Sequence, residues 1–250
     1  MKNSFASYGI EHLSPSSCNT WVGSPAMFIL TKVLKKPNSV GAAAHRGTAA
    51  ESGVAHGLMN PSASLADCVA IAQETFARLT ALSGDSRLDK ERDALPGFVE
   101  QGLRELKPYG VPTAIQTRVD LVIEGLAVPL MGYLDFQFAS GIVVDLKTTH
   151  AVPSKISTNH ARQVALYTAA LGGNATGRLA YVSSKKSAVY ELENVQSHVD
   201  SMAKVALTIQ KFLAISDDPL ELASLVTPDV DSFYFSDPIT RQAAFEVWGV

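Results

Sequence analysis

The sequence predicts a single α/β domain, and three observations predict it. Capping residues and helix breaks mark helical segments from about residue 13 to residue 107. From Pro112 onward, runs rich in β-branched and apolar residues alternate with turns and helical segments. No internal repeat or long linker separates these parts, so residues 1–250 are expected to form one domain.

The N-terminal part is predicted to be helical. Residues 13 to 36 begin with a serine- and proline-rich cap and favour a helix interrupted near Ser24-Pro25. Residues 41 to 58 are rich in alanine and glycine, which suits either a closely packed helix or a loop. Asn60-Pro61-Ser62 introduces a helix to about Ala81, and a further helix ends before Pro108.

Period-two patterns predict an antiparallel meander followed by further strands and helices. The strand-like segments are Ala114 to Ile123, Val128 to Phe138, Ile142 to Thr148, Arg178 to Ser183 and Ala188 to Leu192. One helix is expected from about Asn159 to Leu171. A second, long helix is expected after the last strand and ends at about Ile215. The tail from about residue 219 to 250 is predicted to be irregular.

Composition excludes several classes of protein. The net charge of −3 gives no global attraction to phosphates, so any nucleic-acid contact requires a local basic surface. No apolar run approaches the roughly 20 residues that span a bilayer, and no signal-peptide core is visible, which predicts a cytoplasmic protein without a membrane partner. The only cysteines, Cys18 and Cys68, cannot form a four-thiolate iron–sulfur or zinc site.

The hairpin around residues 139–141 carries the most informative residues. A three-residue loop with Gly141 in the left-handed conformation pairs Phe138 with Ile142. The same register places Asp135 opposite Asp145. Directly opposed side chains have Cβ atoms about 4.5–5.5 Å apart, a distance at which two carboxylates repel each other.

A divalent cation would relieve this repulsion. Mg²⁺ prefers oxygen ligands and keeps waters that can act as nucleophiles. Lys147, two residues along the same strand face as Asp145, can orient such a water or stabilise charge on phosphate oxygens. The alternative is a surface ion pair between Lys147 and the aspartates, which contributes only about 0–1 kcal/mol to stability.

Asp135 followed by Asp145-x-Lys147 resembles the motif of the PD-(D/E)XK nuclease superfamily. Gln163 and Tyr167, four residues apart on the next predicted helix, resemble the Q-x-x-x-Y signature of its RecB-like and phage exonuclease-like branch. The segment from Leu13 to Pro25 is similar to the opening helix of such nucleases, but it has Ser24 where iron–sulfur members have cysteine. The resemblance extends to about Leu192 and implies a restriction-endonuclease-like core, a mixed sheet flanked by helices.

Arg46-Gly47-Thr48-Ala49-Ala50-Glu51 resembles the first active-site motif of the family. The resemblance implies Glu51 as a third metal ligand beside Asp135 and Asp145, with the Leu146 carbonyl oxygen completing a site for Mg²⁺ or Mn²⁺. His45 and His56 are nearby alternatives to Glu51. Lys147, Gln163 and Tyr167 would join the two aspartates as the catalytic group.

The resemblance implies a metal-dependent DNA nuclease. An exonuclease in recombination, repair or phage DNA processing is expected first; an endonuclease, a silent DNA-binding scaffold, or a hydrolase acting on RNA or a small phosphate ester are the alternatives. A recombination or replication protein and a second copy of the chain are conceivable partners. The residues expected to contact DNA phosphates are Arg46, Arg118, Lys155 and Arg162, with Lys32, Lys35, Lys36, Lys185 and Lys186 as further basic candidates.

Overall fold

The structure, a computed structural model, describes residues 3–172 and 174–250. Its helices are α1 (Pro15–Gly23), α2 (Pro25–Phe28), α3 (Ala42–Met59), α4 (Leu65–Thr80), α5 (Leu88–Leu106), α6 (Thr158–Ala170), α7 (Val195–Leu213), α8 (Pro219–Ser224) and α9 (Pro238–Trp248). Its strands are β1 (Pro112–Leu121), β2 (Leu130–Phe138), β3 (Ile142–Thr148), β4 (Thr176–Val182) and β5 (Ser187–Glu191).

The chain divides into two compact units. The first, called the sheet unit, comprises Val40–Val119 and Tyr133–Val195. The second, called the terminal unit, comprises Asp120–Gly132, Gln196–Val250 and the described part of Met1–Ser39. The prediction of one domain over residues 1–250 stays a prediction.

The five strands form one mixed sheet in the order β1-β2-β3-β4-β5. Strands β2 and β3 are antiparallel, as are β4 and β5, whereas β3 and β4 run parallel and are connected through α6. A parallel pair requires such a crossover connection, which explains why a helix interrupts the strands after Thr148. The mixed sheet flanked by helices confirms the predicted fold class.

The β2–β3 hairpin has the predicted register. Phe136 lies opposite Val144, so the next pair in the same register is Asp135 and Asp145. Gly141 adopts the left-handed conformation, with φ of +78°, and its N–H donates to the Phe138 carbonyl oxygen over 3.0 Å. Glycine adopts this conformation without steric cost, and this turn therefore sets which residues of β2 and β3 meet.

One face of the sheet packs against α3, α4 and α5. Phe136, Val144 and Leu146 from the sheet join apolar side chains of these helices in one buried cluster. The alanine- and glycine-rich segment, for which the sequence left helix and loop open, is the helix α3. Its small residues allow close approach: a Cβ added at Gly53 would lie 2.5 Å from the Cys68 carbonyl oxygen of α4.

The terminal unit has its own apolar contacts. The Trp21 ring packs against the rings of Phe28 and Phe212, with centroids 5.4 and 5.0 Å away. The predicted helix break is confirmed, because Ser24 ends α1 and its side chain caps α2. None of the helices within residues 3–172 and 174–250 is both long and apolar enough to span a membrane.

The prediction of an irregular C-terminal tail is wrong. Residues 219–224 form α8 and residues 238–248 form α9. Each helix begins with an aspartate, Asp218 or Asp237, whose side chain accepts hydrogen bonds from backbone N–H groups, followed by proline at the first helical position. An N-cap aspartate followed by proline favours the start of a helix. The sequence analysis gave more weight to the scattered aromatic residues of this segment than to these caps.

Candidate active site

The hairpin brings two aspartates to the face of the sheet opposite α3, α4 and α5. Asp145 is completely buried and Asp135 is 6% exposed. The Leu146 backbone N–H donates to Oδ2 of Asp135 over 2.8 Å. This hydrogen bond fixes the Asp135 side chain to the main chain of β3, directly beside Asp145. The Leu146 carbonyl oxygen, which the sequence analysis expected as a metal ligand, takes no part in it.

Asp145 forms an ion pair with a lysine on its own strand. Lys147 Nζ lies 2.7 Å from Oδ2 of Asp145, and the lysine side chain is 24% exposed. Among the described residues, neither carboxylate oxygen of Asp145 has a hydrogen-bond partner of good geometry. A buried carboxylate normally has such partners, and each missing one costs roughly 1–3 kcal/mol. Asp145 therefore presents oxygen lone pairs that a cation could use.

Helix α3 adds a third carboxylate, Glu51, through a residue that the sequence analysis missed. The Gln116 side-chain amide on β1 donates to Oε1 of Glu51 and, over 3.2 Å, to Oδ1 of Asp135. Among the described residues, His45 and His56 make no such contact, and His56 instead lies beside Asn60. No sequence signal marks Gln116, because an isolated polar residue in a strand is common.

Burial and charge shift the acids and the lysine in ways that fit one electrostatic cluster. Burial raises the pKa of Asp135 well above its usual range, and the charges of Asp145 and Glu51 add to the effect. Burial likewise raises the pKa of Glu51, partly offset by the Gln116 hydrogen bond. Burial alone would lower the pKa of Lys147, but the charges of Asp145 and Asp135 outweigh it and raise that pKa. Lys147 is therefore a cation at neutral pH.

Helix α6 lies beside β3 and β4 and carries Gln163 and Tyr167. The Gln163 amide donates to the Tyr167 hydroxyl oxygen over 2.6 Å, as expected for positions four apart on a helix. Tyr167 is 1% exposed. Burial, followed by the charge of Asp145, raises the pKa of its hydroxyl. The two side chains thus form one hydrogen-bonded unit within the electrostatic influence of the buried aspartate.

Two further aromatic residues that the sequence analysis missed extend the lysine's face of the sheet. Tyr181 pairs with Lys147 across the parallel strands β3 and β4. His160, in the first turns of α6, lies with Nδ1 2.7 Å from the Tyr181 hydroxyl. Burial and the nearby Lys147 charge lower the pKa of His160. A lone histidine gave no signal in the sequence, because only the β3–β4 pairing places it here.

Arg46 is buried rather than displayed on the surface. Its guanidinium forms an ion pair with the buried Glu91 of α5 and donates to the Thr148 carbonyl oxygen over 3.2 Å. His150 lies 3.2 Å from the same Glu91 carboxylate. The arginine that the sequence assigned to DNA therefore joins α3 and α5 to the end of β3, and it would have to leave Glu91 to reach a phosphate.

The other predicted DNA contacts differ in exposure. Arg162 on α6 is 8% exposed, and its Nη1 lies 3.5 Å from Oδ1 of Asn159. Arg118 on β1 and Lys155, in the segment after β3, are exposed. Of the four basic residues assigned to DNA, these two are the exposed ones.

The residues present fit a divalent cation, with one condition. The Asp145 oxygens have no hydrogen-bond partner of good geometry in the described part of the chain, and hard divalent cations prefer carboxylate oxygens. As positioned, however, no three acidic, histidine or cysteine side chains within residues 3–172 and 174–250 form a group that could hold a metal ion. The Gln116 amide lies between Glu51 and Asp135, so an ion shared by these acids requires that amide to move.

Comparison with known proteins identifies the fold. The structure is similar to a solved structure of a protein from Eubacterium rectale that is assigned as an exonuclease, with a TM-score of 0.58 and 11% sequence identity over 94% of this chain and 90% of that one. A second solved structure, SSO0001, has a TM-score of 0.34 and 16% identity over 74% of this chain and 84% of that one. No protein-family model and no curated protein matches the sequence.

Fold and site together define a class of protein. It is an α/β protein with a mixed five-stranded sheet, in which one hairpin carries two buried aspartates and a lysine on the face that α6 approaches. It has the fold of the Eubacterium rectale protein.

Proposed function

We propose that this protein is a metal-dependent nuclease that hydrolyses phosphodiester bonds of DNA, most simply as an exonuclease. One observation carries the proposal: Asp145 is completely buried, its oxygens have no hydrogen-bond partner of good geometry among the described residues, and both Asp135 and Lys147 lie beside it. Clustered acids in a low-dielectric site are costly unless a cation neutralises them. When Glu51, Asp135 and Asp145 are all ionised, the lysine offsets one of their three negative charges.

The ligands proposed for Mg²⁺ or Mn²⁺ are Asp135, Asp145, Glu51 and the carbonyl oxygen of Leu146. A bound divalent cation supplies Lewis acidity and lowers the pKa of an attached water, as in metal-assisted hydrolysis generally. The aspartates come from adjacent strands of one rigid hairpin, and Asp135 is held by the Leu146 N–H. The hairpin therefore holds the two aspartates beside each other, and such support favours a preorganised site.

Lys147 is proposed to orient the attacking water and to stabilise negative charge on the scissile phosphate. Its raised pKa keeps the ammonium charged, and its partial exposure leaves the group accessible to a substrate. Gln163 and Tyr167 are proposed to position the DNA backbone or the flanking base. Misplacement by about 1 Å can lower a rate on the order of 10²-fold, so such positioning residues matter for catalysis.

DNA and cleavage from an end are proposed on two grounds. The motifs Asp135, Asp145-x-Lys147 and Gln163-x-x-x-Tyr167 resemble those of RecB-like and phage exonucleases, and the structurally similar Eubacterium rectale protein is assigned as an exonuclease. Arg118 and Lys155 are the exposed basic residues proposed to bind phosphates. Binding through phosphates releases counterions, so the affinity for DNA should fall as salt rises.

The experiment compares 5′-labelled linear DNA with covalently closed circular DNA, each incubated with Mg²⁺, Mn²⁺ or chelator. Loss of linear DNA alone supports an exonuclease, and cleavage of circles supports an endonuclease. Lys147→Ala should abolish cleavage, whereas Lys90→Ala, which changes an exposed lysine on α5, should not. Cleavage that survives in Lys147→Ala at wild-type rate would refute the proposed site.

Two further substrates separate the alternatives. Labelled RNA of the same sequence and a nucleotide ester test whether the enzyme is a different phosphate hydrolase. If no substrate is cleaved and calorimetry detects no binding of Mg²⁺ or Mn²⁺, the protein is a DNA-binding or scaffold protein that keeps the fold without the reaction.

A further inference from the structure

We propose that Gln116 belongs to the metal site. Its side-chain amide directs its nitrogen toward the acids without a metal, and it rotates to direct its oxygen toward a divalent cation when one binds. The inference rests on the proposed function, because it requires that Glu51, Asp135 and Asp145 bind such a cation. It adds a residue outside the acidic and lysine motifs. The chemical class of the ligand is a hard divalent cation, Mg²⁺ or Mn²⁺.

The first argument is the position of the amide nitrogen. Gln116 Nε2 donates to a carboxylate oxygen of Glu51 and, over 3.2 Å, to Oδ1 of Asp135. A cation held by these two carboxylates would need the oxygens that the amide nitrogen now contacts, because hard cations bind carboxylate oxygens directly. Without a metal, the amide N–H groups therefore stabilise the carboxylates of Glu51 and Asp135. A bound cation would stabilise the same carboxylates with a full positive charge.

The second argument is the backbone of β1. Gln116 has φ of +46°, a conformation that is uncommon and strained for a residue other than glycine. Its neighbour Ile115 packs against the apolar cluster beneath α3, α4 and α5. The strand thus departs from regular geometry at the residue whose side chain reaches the two acids, and strain of this kind concentrates at functional sites.

The third argument is the chemistry of an amide. Its two NH₂ hydrogens are donors and its carbonyl oxygen is an acceptor, and rotation about the last side-chain torsion exchanges the two ends. The carboxylates select the nitrogen when no cation is present. With a cation bound, the amide would turn its oxygen toward the site, because amide carbonyl oxygens are ligands for hard cations and NH₂ hydrogens are repelled. Gln116 is exposed enough to withdraw and rotate.

This exchange also accounts for the arrangement of the acids. As positioned, no three of the candidate ligands within residues 3–172 and 174–250 form a group that could hold an ion. The Gln116 amide separates Glu51 from Asp135, and the Lys147 ammonium occupies one side of Asp145. Rotation of the amide would let both carboxylates converge on a bound cation, and Gln116 Oε1 would add a neutral ligand to the three carboxylates and the Leu146 carbonyl oxygen.

Calorimetry with Mn²⁺ on chelator-treated protein tests the inference without measuring activity. Gln116→Leu should weaken Mn²⁺ binding about tenfold, in line with the roughly 10–100-fold effect of residues that support metal ligands. Gln116→Glu, which restores an oxygen, should bind Mn²⁺ at least as tightly as wild type. Gln73→Leu, at an exposed position of α4, is the matched control and should not change the affinity.

The outcomes separate the inference from the proposed function. If wild type binds Mn²⁺ and Gln116→Leu binds it equally or more tightly, the inference is overturned. Gln116 would then bridge the acids in the metal-free protein without being a metal ligand. If wild type does not bind Mn²⁺, or Asp145→Asn binds it unchanged, the proposed metal site itself fails and the inference fails with it. Circular dichroism establishes that each variant is folded.

A second measurement follows the amide directly. In ¹⁵N-labelled protein, the side-chain NH₂ signal of Gln116 is identified by its absence from the spectrum of Gln116→Glu. Titration with Mg²⁺ should shift this signal, because its hydrogens leave the two carboxylates. A signal that keeps its position while other signals of the site move would overturn the exchange.

Discussion

Lys147 Nζ lies 2.7 Å from Oδ2 of Asp145 in an ion pair whose carboxylate is completely buried and whose ammonium is partly exposed. The carboxylate has no other partner of good geometry among the described residues. Removal of the lysine therefore leaves a buried charge uncompensated, which is far more costly than the loss of a surface pair. The pair is a point where stability and the proposed metal site are coupled.

We predict that Lys147→Met lowers the free energy of unfolding of the metal-free protein by about 2–4 kcal/mol, because Asp145 stays buried without a counter-charge. Saturating Mg²⁺ should restore part of this loss by supplying the positive charge. Urea unfolding with and without Mg²⁺ measures both effects, and Lys90→Met is the control for the loss of a lysine. Equal stability of Lys147→Met and wild type in chelator would contradict the prediction.

The stability of the metal-free protein should depend on pH through Asp135. Burial and the neighbouring charges of Asp145 and Glu51 raise its pKa in the folded protein, so the folded state holds this proton more tightly than the unfolded state. The contribution is present below the unfolded pKa of about 3.9 and is lost as pH rises through the raised folded pKa. Wild type in chelator should therefore lose stability as pH rises toward neutrality.

Urea unfolding between about pH 5 and about pH 8, in chelator, measures this dependence. Asp135→Asn should reduce the slope, because an amide does not titrate, while Asp93→Asn on the exposed surface of α5 should leave it unchanged. Identical slopes in wild type and Asp135→Asn would show that Asp135 has an ordinary pKa.

Arg46 is expected to act through stability rather than through DNA. Arg46→Met leaves the buried Glu91 carboxylate without its ion-pair partner, and the free energy of unfolding should fall by about 3–5 kcal/mol. The double variant Arg46→Met/Glu91→Leu should recover part of the loss, since both charges are then absent. Thermal or urea unfolding of the four members of this cycle gives the coupling between the two residues.

The alternative for Arg46 has a different signature. If Arg46→Met keeps wild-type stability but binds DNA more weakly, the arginine binds DNA. The slope of log affinity against log salt concentration should then fall by about one, the value for one lost phosphate contact. That result would support the role expected from the sequence over the one expected from its burial.

Tyr167→Phe should impair cleavage more than stability. The substitution removes the hydroxyl that accepts the Gln163 amide, while the ring remains buried. One hydrogen bond contributes about 1 kcal/mol to stability, whereas loss of orientation at Gln163 should lower kcat about tenfold or more. Steady-state kinetics and urea unfolding are compared with Tyr234→Phe in the terminal unit. Unchanged kcat would exclude a positioning role for Tyr167.

Local patterns predicted the hairpin well. Gly141 and the two residues before it define a three-residue turn, and turn length alone sets which residues face each other in β2 and β3. The alternation of Val144 and Leu146 with Asp145 and Lys147 then assigns each side chain to a face. Strand β3, from Ile142 to Thr148, has the predicted bounds for the same reason.

Long-range contacts decided what the sequence left open or missed. The alanine- and glycine-rich segment forms the helix α3 (Ala42–Met59), and packing against α4 stabilises it. Gly53 allows the close approach of α4, and the composition of the segment does not reveal that contact. No local pattern indicates that Arg46 lies beside Glu91, which is 45 residues away and on another helix. The same holds for Gln116, because β1 and α3 meet only in the folded chain.

The sequence by itself determined the two aspartates and the lysine on one strand face, because turn geometry and the period of a strand are local properties. Only the tertiary structure decided that Asp145 is completely buried, that Glu51 and Gln116 reach the site, and that Arg46 does not face the solvent. Burial and contacts between distant segments depend on how helices pack against the sheet, and that packing sets the charge balance on which the proposed chemistry depends.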